Sequence, residues 1–305
     1  MTTGHAHAEL IAVLAAVTGG EPRVMTVSAG DRLPSGPFEL GHRSLQAGLR
    51  EWVREQTGHP LGYLEQLYTF ADRDRAHAGG GQAGRTISIS YLGLVHEQAR
   101  PGSGTPGWHG WYEYFPWEDL RGGRTSVLDE VATRMRRWAD AGLDPAGDRR
   151  RRVDFAFGFG GAGWNEDLAL HRYELLYEAG LVEEAGGSMS PSPLLFGRPM
   201  AADHRRILAT GIARLRAKIK YRPVVFELMP ETFTLLQLQR TVEALAGLTL
   251  HKPNFRRLID QQALIEETGE VATETGGRPA KLFRYRHAVV EERALSGSRL
   301  PLSRG

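Results

Sequence analysis

Near the C-terminus, four polar residues crowd the start of one helical stretch. Lys252, Asn254, Arg256 and Arg257 lie in Lys252-Pro253-Asn254-Phe255-Arg256-Arg257-Leu258-Ile259. Guanidinium groups suit phosphate oxygens and the guanine edge, and a carboxamide suits the adenine edge. Pro253 fits the first turn of a helix, where its missing N–H costs nothing. Phe255, Leu258, Ile259 and Gln262 fall along one side, so their apolar members can pack inward. Asn254, Arg256 and Arg257 then project outward near the helix N-terminus, the end that meets base edges in helix-turn-helix proteins. Two further cations downstream, Arg278 and Lys281, are placed to reach phosphates from a hairpin.

Other chemistries are thinly represented. The chain has no cysteine, which removes disulfides, thiolate metal sites and cysteine nucleophiles. His5 and His7 lie in a polar tip expected to be disordered, a poor place for a metal. No metal site and no catalytic residue is assigned. Trp108–Trp117 carries six aromatics in ten residues. Such a run can stack on nucleobases, or it can seal a domain edge or an interface.

The elements that position the C-terminal cluster are legible. Thr234 and Gln237 have capping-box spacing, with Phe233 and Leu238 as a hydrophobic staple. Leu235, Leu238, Val242 and Leu245 make one buried stripe, and Gly247 stops the helix. His204–Ile219 is expected to be a helix and Val224–Leu228 a short strand. Ala263–Glu267 and Lys281–Arg286 read as a hairpin around a polar turn ending Gly276-Gly277-Arg278-Pro279. Two helices followed by a hairpin make a winged helix.

Upstream, residues 9–18 form an apolar helix or strand, Arg23–Val27 a strand and Leu45–Gln56 a helix. Gly62–Tyr68 and Thr86–Val95 alternate as strands, and 126–142 and 167–179 are helical. Ala78–Gly84 and Arg100–Gly107 are loops, and Met189–Arg198 is the best candidate boundary. At 305 residues, two domains are comfortable. The net charge is only +2, but it is unevenly spread. Residues 201–286 hold 15 Lys/Arg against 9 Asp/Glu, whereas residues 1–200 hold 20 against 25. That bias suggests a polyanion-binding module at one end. No signal peptide or membrane span is visible, so a cytoplasmic location is expected.

Phe233-Thr-Leu-Leu-Gln-Leu-Gln, Asn254-Phe-Arg-Arg and Gly277-Arg-Pro-Ala-Lys-Leu-Phe-Arg resemble the winged helix of the Nudix-related transcriptional regulators, the NrtR group. Over the whole chain the likeness is greatest to its branch that controls NAD synthesis. It implies an α/β (α+β) protein, with an N-terminal Nudix-like α/β/α sandwich joined by linker helices to a C-terminal winged helix-turn-helix domain. The expected divisions are 9–150 for a nucleotide-sensing domain, 151–200 for a linker with a helix, 201–287 for the winged helix and 288–305 for a disordered tail.

A Nudix box holds divalent cations on several glutamates. Aligning Thr57-Gly58 on its end puts Arg43 where the first glutamate belongs, Glu51 where arginine belongs, and Trp52 in place of the next glutamate. Of the final pair only Glu55 remains, beside Gln56. Tyr173-Glu174 through Gly180 echoes the end of a box by coincidence. The reading is therefore a non-hydrolytic sensor that needs no cofactor. Its effector is an adenine nucleotide (NAD, ADP-ribose or ATP), with Arg43, Glu55, Tyr68, Arg73 and Trp117 as expected contacts. The resemblance further implies a homodimer that represses NAD biosynthesis genes from a pseudo-palindromic operator. Two rival readings stand beside it. One is an active nucleoside diphosphate hydrolase with an accessory DNA domain. The other is an interaction protein that uses the winged helix as a scaffold.

Overall fold

The computed structural model describes residues 6–71, 85–97, 106–141, 147–186, 192–272 and 279–286. Arg73, Arg278, the turn 276–278, the 78–84 loop and the 288–305 tail lie outside the described residues.

The apolar run at residues 9–18 is the middle of a 13-residue strand, β1 (Ala6–Thr18). Leu10, Ala12 and Leu14 point to one face of the sheet, and Ile11, Val13 and Ala15 to the other, all fully buried. A strand covered on both faces loses the polar alternation of a half-exposed one, which is why the sequence leaves helix and strand open there. Around it run β2 (Glu21–Thr26), β3 (Ser35–Pro37), β4 (Tyr63–Phe70), β5 (Arg85–Leu94) and β6 (Gly107–Gly110). The sheet order is β4-β5-β1-β2-β6, with β3 also on β1. β1 and β5 are parallel, and the other pairs are antiparallel.

Helix α1 (Leu45–Thr57) covers the first face, packing Leu49 and Val53 against Leu10, Ala12, Leu14 and Tyr91. The residues after β6 form α2 (Trp111–Tyr114) and a 3-10 turn (Pro116–Glu118). Then come α3 (Ser126–Ala141), α4 (Asp148–Phe157), α5 (Ala169–Glu178), the short α6 (Pro193–Phe196) and α7 (His204–Ile219). Although the sequence groups α7 with the C-terminal module, this helix lies across the second face of the sheet. A Cβ on its Gly211 would stand 2.8 Å from Val13 Cγ1, so a side chain there would lift the helix from β1. The sheet is thus a middle layer between α1 and α7.

His204 opens α7 and is buried beneath Leu33, whose amide donates to Nδ1 at 3.1 Å. Burial, with Arg32 nearby, pulls its pKa from 6.5 down to about 4. The folded state therefore holds it neutral, while the unfolded chain takes up a proton below about pH 6.5. Its contribution is complete above that pH and is lost as pH falls toward 4. We expect unfolding titrations at pH 6.5 and 5 to differ by roughly 2 kcal/mol more in the natural protein than in His204→Gln. Equal pH dependence of the two proteins would refute the assignment.

The C-terminal module consists of α8 (Leu235–Ala246), α9 (Lys252–Gln262), β7 (Ile265–Ala272) and β8 (Ala280–Tyr285). Phe233 and Phe283 exchange backbone hydrogen bonds of 2.9 and 2.8 Å, adding a third short strand to the β7-β8 hairpin. The expected strand at Val224–Leu228 is instead a 3-10 helix. Phe226 N–H turns back to the Pro223 carbonyl and Met229 N–H to the Phe226 carbonyl. Val225, Phe226, Leu228 and Met229 are buried on different sides of that tight turn. A continuous apolar run satisfies such burial as well as it would a strand.

Candidate nucleic-acid interface

Thr234 begins α8 as the spacing predicts. Its hydroxyl accepts from Gln237 N–H at 3.2 Å, and Gln237 Oε1 accepts from Thr234 N–H at 2.7 Å. Gly247 ends the helix with φ of 71°. The turn to α9 is tied from within by residues that sequence reasoning missed. Glu243 Oε1 accepts from Leu250 N–H and from Gln239 Nε2, both at 2.9 Å, and Gln239 also donates to the Leu250 carbonyl at 3.2 Å. Glu243 in an apolar stripe four residues before a glycine stop is the signal that could have found them.

Helix α9 stands on Phe255 and Ile259, both buried. Lys252, Asn254, Arg256 and Arg257 are all exposed. Among the described residues none of the three cations has an ion pair. With about 100° of turn per residue, Arg257 lies roughly opposite the buried pair, flanked by Asn254, while Arg256 borders it. No side chain caps the helix start at His251, leaving its first amides free for an anion. Leu258, expected inward, is 51% exposed, because it lies at the flank of so narrow a buried stripe.

The wing is differently charged. β7 and β8 pair with an irregularity between Glu267 and Val271. Lys281 Nζ lies 2.8 Å from Glu267 Oε1, and Arg284 Nε lies 2.6 Å from Glu266 Oε1. Lys281, expected to reach phosphate, is exposed and pairs across the hairpin with Glu267.

The expected effector contacts are not drawn together. Trp117 is fully buried, edge-on to Phe115, and presents no face to a ligand. This answers the two readings of the aromatic run: Trp111, Tyr114, Phe115 and Trp117 are all 1% exposed or less, and they build the core. Arg43 and Glu55 are exposed at opposite ends of α1, separated by roughly 15 Å along the helix axis. Tyr68 is 62% exposed on β4, against Phe70 and beside an open cavity of about 480 Å³ that Arg206 and Arg214 also line.

The loop before α1 is held against that helix by two side chains. The Trp52 ring stands on Gly36, and its indole N–H donates to the Pro37 carbonyl at 2.9 Å. Gln56 binds both the amide and the carbonyl of Ser35, at 3.1 and 2.6 Å. Glu51 faces His42 Nε2 at 3.6 Å. Two positions that would hold carboxylates thus lock the loop to the helix. Among the described residues, no group of three His, Asp or Glu is placed to hold a metal.

A buried charge cluster lies beside the end of α8, which Arg216 reaches by donating from Nε to the Leu245 carbonyl at 2.8 Å. Glu118 accepts from Arg172 Nε at 2.5 Å and Nη2 at 2.8 Å, and from Arg216 Nη1 at 2.5 Å. All three side chains are 1% exposed or less. Burial alone would raise the Glu118 carboxyl, but the two guanidiniums outweigh it and hold it below its ordinary value.

Against known proteins, residues 225–285 match the family model described as the NrtR DNA-binding winged helix domain. An "ADPR responsive transcriptional repressor NtrR" from Acinetobacter baylyi is 38% identical over 86 residues, which are 28% of this chain and 34% of that one. The match thus spans only about a third of the curated relative. Over 93% of this chain and 95% of the other, the fold resembles Shewanella oneidensis NrtR complexed with a 27mer DNA, with a TM-score of 0.56 and 21% identity. A MutT/nudix family protein from Enterococcus faecalis gives 0.54 at 16% identity, over 94% of this chain and 88% of the other. The chain accordingly shares the overall fold of these two solved structures, and residues 225–285 match the NrtR DNA-binding winged helix model.

Proposed function

We propose that this protein is a transcriptional regulator that reads duplex DNA with the N-terminal turn of α9 and answers to an adenine nucleotide bound by its Nudix-like half. The observation that carries the reading is the display of Lys252, Asn254, Arg256 and Arg257, exposed and without ion pairs among the described residues, at the start of α9, which follows a turn tied by Glu243 and Gln239. Such cations find their partners in phosphates and base edges. The Acinetobacter relative makes repression the expected sign and ADP-ribose the first candidate effector, ahead of NAD and ATP.

One winged helix reads few bases, so a homodimer on a pseudo-palindromic operator follows as the working arrangement, acting in the cytoplasm at NAD biosynthesis genes. The Nudix-like half serves as a sensor without hydrolysis, because Trp52 and Gln56 occupy positions where the chemistry requires carboxylates. ADP-ribose incubated with magnesium should release no AMP. Steady turnover would move the assignment to a hydrolase.

The deciding experiment is a mobility shift on the promoter of a NAD-synthesis operon, titrated with each nucleotide. Specific binding that ADP-ribose alters supports the reading, and absence of specific binding defeats it. Binding should weaken steeply with salt, and Lys252→Ala should reduce the slope of log K against log salt by about one without changing sequence preference. An unchanged slope would remove Lys252 from the phosphate contacts.

A further inference from the structure

Helix α8 ends in an unusual way. The last carbonyls of a helix lack partners within it and generally face water. Here three of the carbonyls at and just beyond this end are bound by groups from the N-terminal half. Tyr112 Oη donates to the Ala244 carbonyl at 2.6 Å, Arg216 Nε to the Leu245 carbonyl at 2.8 Å, and Leu120 N–H to the Gly247 carbonyl at 2.8 Å. Leu120 and Leu248 form a parallel bridge, and the Thr249 hydroxyl donates to the Arg121 carbonyl at 2.5 Å. The approach is so close that a Cβ on Gly247 would lie 2.3 Å from the Glu118 carbonyl oxygen.

Apart from that of Arg216 on α7, these contacts come from one short stretch, residues 107–121. Its first residues are the edge strand β6, in register with β2 from Thr26↔Gly107 to Arg23↔Gly110. Its last residues hold the helix-turn-helix turn. Between the two ends, Trp111, Tyr114, Phe115 and Trp117 are buried, and Glu118 is clamped by Arg172 of α5 and Arg216 of α7. Arg121 returns to the β1-β2 turn, donating to the Gly20 carbonyl and Glu21, each at 2.8 Å. A stretch hydrogen-bonded at both ends and close-packed between them is the kind of contiguous packed link that can carry coupling between sites.

We propose that residues 107–121, anchored by Glu118, position the recognition helix and carry a change at the edge of the N-terminal sheet to the turn before α9. Glu118, Tyr112 and Arg216 are positioning residues, acting on DNA only through α8 and the turn. The inference rests on the regulator reading for its meaning, but its mechanical part can be tested without DNA.

Tyr112→Phe and Thr249→Val each remove one hydrogen bond between this stretch and the turn while keeping side-chain volume. Operator affinity and amide hydrogen exchange would be measured with and without ADP-ribose on both variants and on the natural full-length chain. The nucleotide-induced change in operator affinity should fall below about five-fold in both variants. Full retention of the nucleotide response in both variants would overturn the proposal.

If the natural protein neither binds the operator nor answers to ADP-ribose, the regulator reading fails separately, and the positioning claim is then decided without ligand. Glu118→Gln should speed exchange at the Gly247 and Leu250 amides by about ten-fold or more, leaving β1 protected. Arg172 and Arg216 would remain buried in that variant, so Tyr112→Phe serves as the milder control and should shift the same amides in the same direction. Unchanged protection of the turn in both variants would overturn the claim.

Discussion

An Arg256→Ala, Arg257→Ala double variant is expected to lose specific operator binding by about 2–6 kcal/mol, roughly 30-fold to 10⁴-fold at fixed salt. Both side chains are exposed and neither has an ion pair among the described residues, so nothing in the fold depends on them. The unfolding midpoint should therefore stay close to that of the natural protein, since exposed substitutions of this kind change stability by about 0.5 kcal/mol or less. Loss of affinity with unchanged stability is the pattern of an interface residue. The single variants should separate the two roles. Arg257, roughly opposite the buried Phe255 and Ile259, is placed to read bases, so its loss should flatten the preference for one operator position. Arg256, at the border of the exposed face, is placed for the backbone, so its loss should weaken all duplexes alike. Anisotropy on the operator and on a scrambled duplex would measure both. Undiminished affinity of the double variant on any DNA would favour a winged helix that serves protein contacts.

Glu118→Ala is expected to be the most destabilising substitution in the junction between the two halves. It leaves the guanidiniums of Arg172 and Arg216 buried without their shared counter-charge. Removing one partner from a buried ion pair costs about 3–5 kcal/mol, a large part of the roughly 5–15 kcal/mol that holds a typical protein folded. Chemical denaturation at pH 7 would measure it, and a cost within 1 kcal/mol of zero would show that the cluster contributes nothing net. The pH dependence has a definite sign. Because the native Glu118 carboxyl lies below its ordinary 4.5, its contribution is complete above that pH. It is lost only as pH falls through the lowered native value. Acid should therefore narrow the gap between Glu118→Ala and the natural protein, whereas the His204 contribution is already being lost as pH falls below about 6.5.

Much of this molecule is legible without coordinates wherever local rules and the final packing agree. The start and stop of α8 follow from Thr234, Gln237 and Gly247 because capping chemistry acts within four residues. The outward display of Asn254, Arg256 and Arg257 follows from the helical period once Phe255 and Ile259 are taken as buried. Local rules were weaker where an apolar run offers no period. Residues 9–18, open between helix and strand, became a doubly covered strand, and Val224–Leu228, expected as a strand, became a 3-10 turn.

What no spacing rule reaches is a contact between residues far apart in the chain. The expected effector residues were chosen one by one for their chemistry, but Trp117 was taken into the core and Arg43 and Glu55 went to opposite ends of α1, because burial and helix rise place side chains regardless of their use. The pairing of Lys281 with Glu267 depended on hairpin register, and the layering of α7 onto β1 depended on the small size of Gly211 facing Val13. Glu118 was passed over as one carboxylate among aromatics. Only the tertiary structure brings Arg172, 54 residues away, and Arg216, 98 residues away, to the same carboxylate. By itself the sequence determined the ends of the best-capped helices and the exposed basic face of α9, since these depend on neighbours along the chain. The folded structure alone decided which part of the N-terminal half grips the end of α8 and the turn after it, since that grip is made by backbone carbonyls and buried charges whose partners are distant in sequence.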